Sequence, residues 1–369
     1  MSRKAKDDLT GAVQAQGTNG RAPSLQEILG AVSRTFAHTL AFLPSGIREW
    51  LTAAYLEDRV IDEIEDNPGV HQNYKDMMLR IPSVLRRGDE SEVATLSTFL
   101  KGLTPTKPEY RILLDNLPVV HSALRSFPEC AQNTIEEYGI EMAIGLSSLK
   151  IREIRTLEDH HEYCHFAAGV VGFMITELMR SAGHFKDEDL RILMPRPEIR
   201  RIGANPAHDF GVGLQLVNDI RDLHEDYVAG GSKWPSELIE AEGLTVEDLI
   251  NLKADGENVE RAYRVLQVQL GDAKDYIMQA KTWIDRLPFE QGGVRRCWIN
   301  TAALAAATCR AINTPAFYYD SGSRKITRGE VLEIDKKVVG TIQRNESPSA
   351  LIGHLFEKPA NEYESPKEE

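Results

Sequence analysis

Two acidic motifs with identical spacing are the part of this sequence that could do chemistry. Each has the pattern D-x-x-E-D; the residues are Asp62, Glu65 and Asp66 in the first motif and Asp222, Glu225 and Asp226 in the second. Positions i, i+3 and i+4 share one face of a helix, so each motif predicts three crowded carboxylates. Such carboxylates repel one another unless a cation neutralises them, and an all-oxygen set favours Mg²⁺ over zinc. We therefore predict two metal-binding helices.

Two such helices facing each other would hold diphosphate groups through bridging Mg²⁺. An arginine stands shortly before each motif, and Arg34, Arg59 and Arg221 would add hydrogen-bond donors for phosphate oxygens. A metal bound to a diphosphate polarises it as a leaving group. With an apolar space beyond the metals, this site favours ionisation of an allylic diphosphate to a carbocation. Because a carbocation has to be kept from water, we expect a scaffold of apolar helices.

Composition and charge argue against several classes of protein. The chain has 369 residues and a formal net charge of −13, which argues against a nucleic-acid-binding surface. The four cysteines have no C-x-x-C spacing and predict reduced thiols in a cytoplasmic protein. The polar N-terminal sequence has no secretory signal, and no apolar run approaches the roughly 18 residues of a membrane span.

Hydrophobic periodicity predicts a single all-α domain, because no segment shows β alternation. The domain is expected at residues 24–345, between a disordered arm at 1–23 and a polar tail at 346–369. Helices that concern the site are predicted at residues 25–43, 45–66, 157–183 and 210–227. Another at 294–312 is apolar nearly all round and should be buried. Gly169 and Gly172, three residues apart in mid-helix, predict close approach of another helix or of a ligand.

Six segments, in this order, resemble motifs of the squalene/phytoene synthase family, and within it those of the squalene synthases. They are SRTF (33–36), YLEDRVIDEIED (55–66), YCHFAAGVVG (163–172), QLVNDIRDLHED (215–226), the Trp234–Pro235 pair and RKITRG (324–329). The resemblance spans most of the chain. It implies the isoprenoid synthase fold, a single-domain helical bundle with a central cavity.

The resemblance also implies a reaction. Two farnesyl diphosphates bind through Mg²⁺ to the six carboxylates; one ionises, and its cation is attacked by the double bond of the other. Loss of a proton gives presqualene diphosphate. A second ionisation, rearrangement and hydride transfer from NADPH give squalene.

Further residues receive roles only through this resemblance. Tyr163 takes the place of the family's catalytic tyrosine, and Phe36 that of a ring that stabilises carbocations. Arg59 and Arg221 are expected to take part in catalysis. Substrate-binding residues are expected to be Ser33, Arg34, Tyr55, Arg59, Ala168, Gly169, Gln215, Asn218 and Arg221. NADPH would be bound by Lys325, Arg328 and Asn218, without a Rossmann-type G-x-G-x-x-G unit.

The chain departs from the family pattern at two places. Ser232 and Lys233 stand where the family has an arginine and an aromatic residue, so the resemblance does not extend to the lid of the second half-reaction. Asp219 stands where an apolar residue is usual. The C-terminal membrane anchor of eukaryotic members is not seen. We expect a soluble bacterial-type enzyme, a monomer or weak homodimer, with at most peripheral membrane contact.

Three alternatives stay open at this point. A phytoene or dehydrosqualene synthase would stop before the reduction. A class I terpene cyclase would use Asn218, Asp219, Asp222 and Asp226 as a variant of its N-D-x-x-S-x-x-x-E motif. A catalytically silent isoprenoid-binding protein would keep the fold alone. Outside the acidic motifs, Cys164 and His165 are interpreted as packing residues, and His160 and His161 as solvent-facing.

Overall fold

The computed structural model describes residues 21–67, 69–70, 75–149, 154–195 and 205–357, and within these ranges it contains helices and no strand. The all-α prediction is confirmed. The helices are α1 Leu25–Val32, α2 Arg34–Leu40, α3 Ile47–Asp66, α4 Lys75–Arg87, α5 Glu90–Gly102, α6 Arg111–Asp115, α7 Leu117–Ser126, α8 Glu129–Leu149, α9 Leu157–Cys164, α10 Val170–Ser181, α11 Asp187–Leu193, α12 Pro206–Arg221, α13 Leu223–Val228, α14 Ser236–Ala241, α15 Val246–Ile250, α16 Val259–Gln279, α17 Lys281–Asp285, α18 Gly292–Ile312, α19 Arg328–Gln343 and α20 Pro348–Glu357.

The two acidic motifs lie on α3 and on α12–α13, and the surrounding helices fix their relative position. α10 packs against both α3 and α12, while α16 covers another side of α12. α18 is buried on nearly all sides, as predicted, and packs against α2, α12, α19 and α20. Its run of alanines removes side-chain bulk, which allows several helices to approach it.

Glycines bring the helix after Tyr163 into close contact with α12. An added Cβ at Gly172 would collide with the carbonyl oxygen of Ala207, and one at Gly211 would collide with the carbonyl oxygen of Ala168. Gly169 lies against the ring of His208. Close helix packing therefore accounts for the glycines at positions 169 and 172.

Three helices predicted as continuous are interrupted. Ser33 has extended backbone (φ −150°, ψ 103°), and its hydroxyl accepts a hydrogen bond from the Phe36 N–H at 3.3 Å, so it caps a new helix. A π turn, His165–Gly169, separates α9 from α10. Asp222 interrupts the second acidic helix: its carboxylate pairs with the adjacent Arg221, and neighbouring side chains do not face each other on a regular helix.

The prediction of a polar tail at residues 346–369 is wrong for residues 348–357. Residues Pro348–Glu357 form α20, which packs against α18 and α17 and buries Ile352 and Leu355. These apolar side chains, spaced three apart, form the buried face of a short amphipathic helix. Residues 1–20 of the predicted arm and residues 358–369 of the tail lie outside the described residues. Among the described helices, none is both long and apolar enough to cross a bilayer.

Candidate active site

From Leu51 to Asp66, one face of α3 is accessible while the rest of the helix is buried. Tyr55, Arg59, Asp62, Glu65 and Asp66 are partly exposed, and the apolar positions between them are in the core. The helix ends at Asp66, so the first carboxylate triplet lies at a C-terminal end, where the helix dipole disfavours anions. A bound cation would offset that cost.

The arginine of this face lies beside the triplet. Arg59 Nη1 is 3.4 Å from Asp62 Oδ2, and Arg59 Nη2 is 3.4 Å from the Tyr55 hydroxyl oxygen. The guanidinium also lies over the rings of Tyr55 and Tyr110, at 5.7 and 5.5 Å from their centroids. Arg59 Nε is buried without a hydrogen-bond partner in the described part of the chain. The side chain as a whole is partly exposed, so this donor would be satisfied if the guanidinium turned towards a phosphate oxygen.

A matching accessible face runs along α12 and α13. Gln215, Asn218, Arg221 and Asp222 are partly exposed on it, and Glu225 is exposed. Arg221 binds Asp222 with two hydrogen bonds, Nε to Oδ1 at 2.6 Å and Nη2 to Oδ2 at 2.8 Å. The Asp226 N–H still donates to the Asp222 carbonyl at 2.9 Å, so the triplet keeps its helical spacing across the interruption.

The structure brings the two triplets together. The pKa of Asp226 is raised to about 7, chiefly by burial; Lys233 opposes this effect, while Asp219, Asp66 of the first triplet and Asp222 of its own triplet add to it. Burial likewise raises the pKa of Asp62 to about 6, against the opposing effect of Arg59. Crowded, partly buried carboxylates with only oxygen donors fit Mg²⁺, so the residues present are suited to the predicted metal.

We expect Mg²⁺ to stabilise the protein more at about pH 8 than at about pH 5. The pKa values of Asp62 and Asp226, about 6 and about 7, both lie above the ordinary 3.8. A carboxyl group whose pKa is raised on folding favours the folded state only while protonated. Its contribution is present at low pH and is lost as pH rises through the folded pKa. In EDTA, the melting temperature should therefore fall between about pH 4 and pH 7.

Added Mg²⁺ should recover that loss above about pH 7, because it replaces the proton as the neutralising charge. Scanning calorimetry with and without Mg²⁺ measures this, and Asp226→Asn should flatten the pH dependence. An equal shift by Mg²⁺ at both pH values would contradict the metal assignment.

Lys233 is a residue of this site that the sequence analysis did not assign. Its ammonium donates to Asp66 Oδ1 at 3.1 Å and lies 4.9 Å from the centroid of the Tyr163 ring. The pKa of Lys233 is raised well above its ordinary value: burial alone would lower it, but Tyr163, Asp66 and the other nearby acids outweigh burial. The only sequence signal was a lysine between the second motif and the Trp-Pro pair.

Tyr163 lies at the end of α9 and is buried beneath Lys233. Burial raises the pKa of its phenol well above the ordinary value, and Lys233 opposes that effect. The hydroxyl is therefore protonated at neutral pH. Phe36 lies near the accessible face of α3, with its ring centroid 4.9 Å from that of Tyr55. The structure thus places both predicted aromatic residues beside the carboxylates or their helix.

Asp219 forms a buried polar cluster directly behind the second triplet. His160 Nε2 lies 3.0 Å from Asp219 Oδ2, Gln215 Nε2 donates to Oδ1 at 2.8 Å, and the Cys164 thiol lies 3.5 Å from Oδ2. The prediction that His160 faces solvent is wrong, because its ring is fully buried against this carboxylate. His161 is partly exposed and pairs with Asp272 at 2.7 Å.

The remaining predicted substrate-binding residues lie outside α3, α12 and α13. Arg34 is exposed and forms no salt bridge with the residues that the structure describes. Ser33 serves as a helix cap, and Ala168 and Gly169 lie in the π turn that packs on α12. π turns inside helices are frequent at functional sites.

The basic segment borders the second triplet. Arg324 Nη2 lies 3.0 Å from Nε2 of His224, the residue before Glu225, while Lys325 and Arg328 are exposed. A shallow depression of about 570 Å³ beside Arg324 is lined by His224, Lys253 and Tyr319, among others.

The sequence is similar to those of known proteins over most of its length. The sequence model described as squalene/phytoene synthase matches residues 29–330. The squalene synthase of Rattus norvegicus is 26% identical over 310 residues, covering 83% of this chain and 67% of that protein. The squalene synthase of Solanum lycopersicum is 26% identical over 333 residues, which cover 89% of this chain and 72% of that protein.

Solved structures share the fold. The structure of TcSQS in complex with the ligand E5700 superposes with a TM-score of 0.72 at 23% identity, covering 90% of this chain and 95% of that one. The structure of a dehydrosqualene synthase in complex with a ligand superposes with a TM-score of 0.55 at 18% identity, covering 87% of this chain and 95% of that one. With the family match spanning most of the sequence and two facing carboxylate triplets in one all-α fold, this chain belongs to the squalene/phytoene synthase family.

Proposed function

We propose that this protein is a squalene synthase that condenses two farnesyl diphosphates head to head and then reduces the product with NADPH. The observation that carries the proposal is the pairing of the two carboxylate triplets, on α3 and on α12–α13, within one site. In the first half-reaction, C1 of one substrate loses diphosphate and bonds to the double bond of the other. A proton then leaves, and the cyclopropane of presqualene diphosphate closes.

The triplets would hold Mg²⁺, which when bound would polarise the departing diphosphate. The chain's own residues support that departure. Arg59 has a partly exposed guanidinium whose Nε lacks a partner among the described residues, and Arg221 retains N–H groups beyond the two that bind Asp222. Both can therefore donate to phosphate oxygens while they orient a carboxylate. The rings of Phe36 and Tyr55, 4.9 Å apart, present π faces that can stabilise an allylic cation.

The second half-reaction needs a hydride donor, and the basic segment at residues 324–328 is the proposed site for the phosphates of NADPH. Support comes from its position beside the second triplet, from the exposure of Lys325 and Arg328, and from the depression next to Arg324. Exposed cations of this kind can pair with phosphate oxygens without having to break an existing salt bridge.

The test is to incubate purified protein with farnesyl diphosphate and Mg²⁺, with and without NADPH, and to identify the hydrocarbons formed. We expect squalene with NADPH and presqualene diphosphate without it. A C30 product that is unaffected by NADPH would indicate a dehydrosqualene synthase instead. Geranylgeranyl diphosphate, run in parallel, tests chain length, and a cyclic C15 product would indicate a terpene cyclase.

Lys325→Ala should raise the KM for NADPH by roughly tenfold, because one charge-assisted contact to phosphate is lost. At low NADPH, presqualene diphosphate should accumulate, while its rate of formation stays the same. Steady-state kinetics of the two half-reactions measures both effects. Lys336→Ala, which removes an exposed lysine on α19, is the matched control. An unchanged KM in Lys325→Ala would refute the cofactor role of this lysine.

A further inference from the structure

The segment that carries Lys233 is firmly anchored. Trp234 is buried, its indole N–H donates to the Asp219 carbonyl at 3.1 Å, and its ring stacks on that of Phe317 at 6.2 Å with an interplanar angle of 3°. The Trp234 N–H also donates to the Ser232 hydroxyl at 3.1 Å. The backbone of Lys233 is therefore held next to the second triplet while its side chain reaches Asp66 of the first.

Lys233 differs from Lys107, a lysine that also contacts a triplet. Its side chain is 18% exposed and donates to Asp66 at 3.1 Å. Lys107 is 42% exposed, and its Nζ lies 4.0 Å from Asp222. A charge that is this deeply enclosed is costly without a permanent partner of opposite sign. Asp66 alone does not meet that need, because it belongs to the set of residues that would bind metal.

Asp219 is a second acid in this region. Its carboxylate is buried, is held by His160 and Gln215, and lies outside both triplets. The indole of Trp234, the residue after Lys233, donates to the Asp219 carbonyl at 3.1 Å. The two departures from the family pattern, a lysine at 233 and an acid at 219, therefore lie in segments that contact each other.

We propose that Lys233 is a diphosphate-binding residue, a fixed positive charge that assists the metal ions. This inference rests on the proposed function, since it concerns the same leaving group. With Asp66 engaged by a metal ion, the ammonium would lose that partner but would stay anchored in the site. It then has N–H donors to offer to phosphate oxygens.

Binding of inorganic diphosphate, measured by calorimetry at several fixed Mg²⁺ concentrations, tests the proposal without requiring turnover. Lys233→Met should raise the Kd for diphosphate roughly tenfold to a hundredfold at every Mg²⁺ concentration, because one hydrogen bond to a charged group is lost. Lys233→Arg should bind within a few-fold of the wild type. Lys336→Met, which removes an exposed lysine, should bind like the wild type. If the methionine variant does not fold, Lys233→Gln gives the same comparison.

Unchanged or tighter diphosphate binding by folded Lys233→Met would overturn the proposal. Lys233 would then merely fill the space of a metal ion and be displaced by it. The proposed function fails separately, if the wild-type protein releases no diphosphate from farnesyl diphosphate with Mg²⁺. A wild type that turns over, together with a Lys233→Met variant that binds diphosphate normally, would therefore refute the inference alone.

Discussion

Replacing Asp62 with alanine should slow the release of diphosphate from farnesyl diphosphate by roughly a thousandfold or more. Polarisation of a phosphoryl oxygen by a metal stabilises the transition state by several kcal/mol, and each 1.4 kcal/mol is about tenfold in rate. Asp62 is a member of the first triplet, pairs with Arg59 at 3.4 Å, and is crowded by Asp66. Its loss should therefore impair the metal site and also free Arg59. The measurement is a coupled assay for inorganic diphosphate.

The fold should survive this change. Asp62 is on the accessible face of α3, and alanine favours helix, so far-UV circular dichroism should match that of the wild type. Asp275→Ala removes an equal charge from an exposed position on α16 and should keep full activity. Turnover by Asp62→Ala within about tenfold of that of Asp275→Ala would refute the metal role of the first triplet.

Local patterns predicted the helical elements, but tertiary contacts decided where they break. Periodicity placed an acidic helix near residues 45–66 and a buried helix near 294–312, and both are present. The break at Ser33 depends on a hydroxyl that caps the next helix. A serine within a helical hydrophobic pattern does not by itself predict such a cap. α20 was missed because its apolar positions, Ile352 and Leu355, lie next to a charged terminal sequence.

The site residues that belong to a repeated sequence motif were predictable, whereas those that belong to no motif were not. The doubled acidic spacing identified both triplets, because helix geometry fixes which side chains share a face. Lys233 and Asp219 belong to no periodic pattern. Their roles follow from contacts between segments far apart in sequence: Lys233 with Asp66, and Asp219 with His160. For this reason His160 was predicted to be solvent-facing, although it is buried.

Changing Tyr163 to phenylalanine should slow formation of presqualene diphosphate by roughly 10²- to 10⁴-fold, the usual worth of a positioned acid or base. Only the hydroxyl is removed, so the ring should keep its position 4.9 Å from Lys233. Because burial raises the pKa of this phenol well above its ordinary value, it is protonated before reaction. It can act as a base only after passing its proton to the departing diphosphate. The resulting phenolate, stabilised by the adjacent ammonium, would then take the proton that leaves as the cyclopropane closes.

Proton transfer can be measured separately from substrate binding. Inorganic diphosphate should bind Tyr163→Phe within a few-fold of its wild-type affinity, because Lys233 and the carboxylate triplets are unchanged. Tyr138→Phe removes the hydroxyl from a partly buried tyrosine on α8 that packs on Phe173, and it should leave the first half-reaction intact. If Tyr163→Phe forms presqualene diphosphate as fast as Tyr138→Phe does, the proton must leave by another route. If both diphosphate binding and turnover are lost in Tyr163→Phe, the hydroxyl organises the binding site and has no role in proton transfer.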